Sequence, residues 1–267
     1  ISKRYDIGKI VETEVKMKNF RRLSATAGKS IIVQGLREGE RKAMQEAYES
    51  QREEIITATV SKVDSVNGNV VLETGTSHAV LLKSEQIPGE TFYVGDKIKV
   101  FVMEVNKESK GPIVTLSRVH AGLVKRMFEL EIPEIADGTV VIKGISREAG
   151  SRTKMAVFSR DDDVDAVGAC IGNHAMRIAG IVDELRGEKI DIVKYSEIPE
   201  EYVAAALSPA TVREVEMTGE RSCRVYVDAD QLSLAIGAKG QNVRLAAKLT
   251  GWKIDIRPES GFYGEEE

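Results

Sequence analysis

Cysteine is nearly absent from this 267-residue chain: only Cys170 and Cys223 occur, far apart and in no metal-binding spacing. Two thiols so placed exclude a disulfide framework, and both read as small core residues. No apolar run approaches the roughly 20 residues that a membrane helix needs, which excludes a membrane span. No signal peptide opens the chain, so a reducing cytoplasm is the expected location. Histidine is scarce as well. His78, His120 and His174 share no ligand spacing and have no cysteine in register, which leaves neither a zinc centre nor a nucleophile pair. Two ligand motifs also lack their defining residues. "TAGKS" at 26–30 looks like half a P-loop, but the glycine needed five residues before Gly28 is Leu23. "DDDVD" at 161–165 looks like a calcium loop, yet Ala166 stands where the turn glycine belongs and Gly172 where the bidentate glutamate belongs. The first reads as helix surface and the second as a solvated acidic turn entering a helix. No cofactor and no metal are expected.

What is present is a charge balance that conceals local imbalance. The net charge of −4 argues against a uniformly basic nucleic-acid binder. Residues 237–257, however, carry Lys239, Arg244, Lys248, Lys253 and Arg257 against Asp255 alone. Residues 259–267 then carry Glu259, Glu265, Glu266 and Glu267 unopposed. The tail cancels the patch in the total, and its folding back to inhibit the patch is one expectation this raises. The chain opens at Ile1 in mid-pattern, so a preceding portion of the protein is expected outside this sequence.

An internal repeat organises the second half. "CIGNHAMRIAGIVDELRGEKIDI" (170–192) and "AIGAKGQNVRLAAKLTGWKIDI" (235–256) match through Ile-Gly, a helix, a glycine and Lys-Ile-Asp-Ile. In the first copy Ile178, Ile181, Val182 and Leu185 mark one apolar helix face, and Gly187 and Gly251 read as C-caps. Upstream of each turn lie two β-rich segments, 139–145 and 154–158, then 211–217 and 224–227. "AGLVKRMFEL" and "PEEYVAAALS" offer a leading helix to each unit. Residues 54–118 differ: short β-rich runs, Asn67-Gly68 as a two-residue hairpin turn, and "VGDKIKVFVMEV" with Ile98, Val100 and Val102 on one face. These suggest a small OB-type barrel. Residues 19–52 read as a long helix weakened at Gly28, Gly35 and Gly39.

The turn Gly237-Ala238-Lys239-Gly240 carries the chemistry. Glycines before a helix N-terminus remove the side chains that keep a phosphate away from unpaired N–H groups. A Gly-x-x-Gly turn in this setting fits the sugar-phosphate backbone of a single strand, as in KH domains. Lys239 adds attraction to phosphate, while Arg244 and Lys248 extend the cationic side of the helix. The other copy, Gly172-Asn173-His174-Ala175 with Arg177 beyond it, lacks the second glycine, and its surrounding charges cancel. Alanine there narrows the allowed backbone and adds a methyl, so the second copy is expected to grip RNA more strongly. His78, in a barrel strand, is a candidate base-stacking residue or a surface histidine without a role. Phe92, Tyr93 and Phe101 include one or two further candidates, and Trp252 reads as core or a strand-edge anchor.

The order of barrel and two repeats, with "VGACIG", "LRGEKIDIV", "LSPATV", "QLSLAIGAKGQNVRLAAKLTGWKIDI" and "LEIPEI", resembles the NusA family of bacterial transcription elongation and termination factors over nearly the whole chain. The resemblance implies an α+β multidomain protein with an N-terminal helical piece, a small OB-type barrel and two type II KH domains. By it, residues 1–52 are the remnant of a polymerase-binding head with its linker helix, and 53–118 an S-one-type RNA-binding barrel. Residues 119–195 and 196–260 are then the first and second KH domains, and 261–267 an acidic tail. It further implies a non-enzymatic factor that binds nascent single-stranded RNA, RNA polymerase and other elongation or antitermination factors. An RNA-processing or ribosome-associated accessory protein is the alternative, since barrel and KH modules also accompany exoribonuclease cores. No catalytic core is present in this sequence.

Overall fold

The structure, a computed structural model, describes residues 22–75, 77–106 and 114–258. Helix α1 (Arg22–Glu49) leads into strands β1 (Ile55–Val63), β2 (Val70–Thr74), β3 (Ser77–Leu81), β4 (Lys97–Val105) and β5 (Val114–Ser117). These strands form one antiparallel sheet ordered β3-β2-β1-β4-β5. Its outer strands β3 and β5 lie against each other, so the sheet nearly closes into a barrel. Period-two alternation places Ile98, Val100 and Val102 of β4 inside with Val60, Leu72, Leu81 and Leu116. The last turn of α1 seals one side through Tyr48, whose hydroxyl meets Thr74 Oγ1 and, at 2.9 Å, Ser77 Oγ.

One element here follows its expectation and one does not. Helix α1 runs unbroken through Gly28, Gly35 and Gly39, where an added Cβ would meet nothing. Propensity costs of about 1 kcal/mol per glycine are outweighed by the length of the helix and its docked end. The β1–β2 connection is not a two-residue turn. It spans residues 64–69, closed by Asp64 N–H to Asn69 O at 2.8 Å, and only Gly68 of the Asn-Gly pair takes a positive φ. Side-chain oxygens of Asp64 and Asn67 each accept a backbone N–H two residues on, which stabilises the longer loop.

The first repeat comprises α2 (Ala121–Glu131), α3 (Pro133–Ala136), β6 (Val140–Glu148), β7 (Arg152–Ser159), α4 (Ala166–Ile171), α5 (Met176–Glu184) and β8 (Lys189–Lys194). The second comprises α6 (Pro199–Ala206), β9 (Glu214–Gly219), β10 (Ser222–Val227), α7 (Leu232–Ile236), α8 (Gln241–Thr250) and β11 (Lys253–Pro258). In each, the middle strand pairs antiparallel with the one before it and parallel with the last. A short helix, α4 or α7, precedes each turn, so both turns join two helices. At the end of α5, Leu185 is the cap and Arg186 already has φ 58°, one residue ahead of Gly187.

The three modules share cores. Phe101 and Ile87 of the barrel join Leu123, Phe128, Met155 and Leu185 of the first repeat. Ala156 and Val193 of the first repeat join Tyr202, Val203 and Val225 of the second. Strand β7 is therefore covered on both faces, which explains its nearly continuous burial. Polar groups fasten the same seams. Arg118, 1% exposed, forks onto both oxygens of Glu90 at 2.8 and 2.9 Å and donates to Glu184 O at 3.1 Å. Buried Lys154 reaches Asp191 at 3.0 Å and Ser208 O at 2.6 Å across the seam between repeats. Desolvation lowers its pKa, and Asp191 opposes that shift. Removing Glu90 or Asp191 would strand a buried cation at a cost of about 3–5 kcal/mol.

Candidate nucleic-acid interface

The two turns have the same backbone. Gly237 sits at φ 75°, ψ 169°, Lys239 at 54°, 27° and Gly240 at 74°, 19°. Gly172, His174 and Ala175 sit at 74°, 172°, at 52°, 31° and at 58°, 22°. The first glycine is dictated twice. Its φ/ψ lies in a region used essentially by glycine alone, and an added Cβ would stand 2.8 Å from the Asn242 backbone nitrogen or 2.7 Å from Arg177 Cγ. The last position is freer: at Gly240 a Cβ would meet only Val243 Cγ1 at 4.0 Å. Ala175 therefore keeps the loop's shape and bears left-handed strain, which is the narrowed backbone expected of alanine at this position.

The side chain two residues past each turn locks it. Asn242, buried, donates through Nδ2 to Leu207 O and Ala235 O, both at 3.0 Å. Arg177 occupies the same repeat position and donates to Ala169 O at 2.8 Å and to Glu134 at 2.9 and 3.1 Å. Arg177 is thus held within its own domain. Cys170 lies beneath that turn, and burial pushes its thiol up to about 12, so it packs rather than reacts.

Outward, Asn173, His174 and Ala175 in one turn and Ala238 and Lys239 in the other are exposed, and neither turn is buried by its neighbours. Arg244 is placed differently from the sequence picture of a free cation beside the strand. Its Nε meets Glu148 Oε1 of the first repeat at 2.7 Å, and its Nη1 donates to Lys239 O at 3.2 Å. Gln241 donates to Glu148 Oε2 at 2.8 Å and to Ser151 Oγ at 2.7 Å. Those hydrogen bonds from Arg244 and Gln241 hold the Glu148 carboxyl below its ordinary range and raise Arg244 above its own. The β6–β7 hairpin so braces the second turn from behind. Lys248 is exposed further along α8.

His78 is exposed on β3 opposite Glu73, in the barrel rather than at either turn. Phe92 and Phe101 are buried, leaving Tyr93 as the exposed member of that trio; Trp252 packs half-buried on the second core. The acidic tail and residues 1–21 lie outside the described residues. Glu148, Asn242 and Glu134 were missed by sequence reasoning. The repeat offset of 65 that aligns Gly172 with Gly237 also aligns Arg177 with Asn242, and that shared polar position was the available signal.

A family model of the NusA-like first KH domain matches residues 118–195, and one of the NusA-like second KH domain matches residues 199–263. With the fold described above, these matches define a tandem-KH RNA-binding protein with a barrel ahead of the pair. The transcription termination/antitermination protein NusA of Halalkalibacterium halodurans is 48% identical over 97% of this chain and 68% of its own length. Its counterparts in Bacillus subtilis and Thermus thermophilus are 46% and 43% identical, over 98% and 93% of this chain and 72% and 64% of theirs. The chain belongs to the NusA family of transcription termination/antitermination proteins, which are transcription factors and not enzymes. Among the described residues, no helix is long and apolar enough to cross a membrane.

Proposed function

We propose that this protein binds the nascent single-stranded transcript through its two turns while engaged with RNA polymerase and other elongation or antitermination factors, and so acts in pausing, termination and antitermination. The observation that carries this reading is the exposed turn at 237–240, whose backbone is bent at glycines ahead of α8 and braced from behind. Backbone N–H groups at the start of α8, with Lys239 beside them, suit a phosphodiester. Gly172, Asn173 and His174 provide a second, less cationic grip. Lys248 borders the second turn, and Arg244 and Arg177 act mainly by holding turn geometry. His78 belongs to the barrel's share of the strand.

The test is titration of this chain with unstructured RNA across salt concentrations, with duplex DNA as competitor. Affinity for single-stranded RNA falls with salt, by a log–log slope of about −0.7 for each phosphate contacted. Replacing Gly240 with Asp removes most of that affinity. A flat salt response, or full binding by the Gly240→Asp chain, overturns the reading.

A further inference from the structure

A recess lies away from both turns, at the seam between barrel and first KH domain. It has a volume of about 580 Å³ and is lined by Phe101, His120 and the cations Arg52 and Lys143, with the carboxylates Glu53 and Glu104 also on its wall. That is within the range of small-molecule sites, roughly 300–1,000 Å³. His120 is unusual for an exposed histidine in being fixed on three sides. Its ring stacks on buried Phe101 at 5.0 Å and 11°, its Nδ1 accepts the Gly122 N–H at 3.0 Å, and its carbonyl accepts from Arg147 at 2.9 Å. Gly122 makes the stack possible, since a Cβ there would lie 2.4 Å from the Phe101 ring. With Nδ1 accepting, Nε2 carries the proton and has no partner among the described residues. Lys143 sits 5.1 Å from the Tyr195 ring centroid and 5.2 Å from that of Phe158. Among the described residues, neither Lys143 nor Arg52 meets a carboxylate at ion-pair distance.

A rigid aromatic face with a free donor, bordered by two cations outside any ion pair, is the chemistry that holds an unstacked base and its phosphate. The recess also runs along β6, whose far end carries Glu148 against the second KH turn. From Lys143 to Glu148 is about 17 Å at roughly 3.3 Å per residue. We infer that the recess is a subsite for one nucleotide of single-stranded RNA, its base stacked on His120 and its phosphate drawn to Arg52 and Lys143. This rests on the RNA-binding reading above and adds a contact outside both KH turns.

The experiment compares RNA of about 12 nucleotides with RNA of about 8, since each KH turn holds about four. Two variants separate stacking from folding: His120→Asn keeps an N-cap acceptor but no ring, and His120→Phe keeps a ring but no acceptor. On the longer RNA, His120→Asn is expected to bind about tenfold more weakly, and His120→Phe within about threefold of the parent. On the shorter RNA both match the parent. The inference is overturned if His120→Asn holds the longer RNA as the parent does, if His120→Phe loses as much as His120→Asn, or if the parent does not prefer the longer RNA. Lys239→Glu is the control, weakening both lengths. If that holds while His120→Asn changes nothing, the KH reading stands alone, and if the parent binds neither RNA, both readings fall.

Discussion

The two KH turns share backbone angles to within about 20° yet of the six aligned positions from the first glycine to the lock only that glycine is common, and the differences that set shape and charge are His174 against Lys239, Ala175 against Gly240, and Arg177 against Asn242. The difference teaches that shape and charge are specified separately. Shape comes from the first glycine and from the lock two residues past the turn, present in both copies as different chemistry. Charge comes from the third turn residue, and only the second copy has it.

The hardest blow to this comparison is aimed at the first glycine. Gly237→Ala forces a non-glycine residue into a glycine-only region and drives its Cβ into the Asn242 amide, which is part of α8 and cannot yield alone. A loss of about 3 kcal/mol is expected in urea unfolding, with RNA affinity falling alongside. Gly172→Ala meets a side chain instead, and Arg177 can move at the cost of its bonds to Glu134 and Ala169. It should therefore lose less, and equal losses would mean that the lock residue has no part in setting the turn.

A smaller effect comes from exchanging the last turn residue. Gly240→Ala bears the left-handed strain that Ala175 already bears, about 1 kcal/mol, and Ala175→Gly returns up to the same amount. Both are read from denaturant midpoints. A gain in RNA affinity for Ala175→Gly beyond its gain in stability would show that the methyl also obstructs phosphate.

Much of this contrast was legible in the sequence because it is local. The glycine spacing, the missing second glycine and the apolar face of α5 each sit within some twenty residues, and the repeat is a match between two such stretches. What was not legible is what crosses between modules. Phe101 alternates as an outward barrel residue, and nothing in its strand says that another domain will bury it to 4% exposure. Arg244 reads as a free cation because its partner, Glu148, is 96 residues away. The Asn67-Gly68 signal gave way to a longer loop because the side-chain oxygens of Asp64 and Asn67 accept the Val66 and Asn69 N–H groups.

That pair also distinguishes the copies. Arg177 is tied inside its own domain, whereas Arg244 is tied to the neighbouring one, so only the second turn depends on domain docking. Glu148 has a folded pKa below its ordinary 4.5, so its stabilisation is complete above that value and is lost as pH falls through the lower native one. Hydrogen exchange at 238–241 should rise in that acidic window before exchange at 173–176 does. Glu148→Gln should produce the same asymmetry at neutral pH, at a cost of about 0.2–1 kcal/mol typical of a partly exposed pair. Simultaneous opening of both turns would show that Glu148 does not brace the second.

The gentlest test moves charge without moving shape. Lys239 and His174 take nearly the same φ/ψ on exposed turns, so exchanging residue types there leaves the backbone as it is. Lys239→His should flatten the log–log salt dependence of single-stranded RNA binding by about 0.7, the share of one phosphate. His174→Lys should steepen it by a similar amount, bringing the first turn toward the second, with urea midpoints unchanged in both. The double exchange should restore the parent slope. If it does not, the two turns do not meet equivalent phosphates, and the asymmetry between the domains lies in the grooves beside them rather than in the turns.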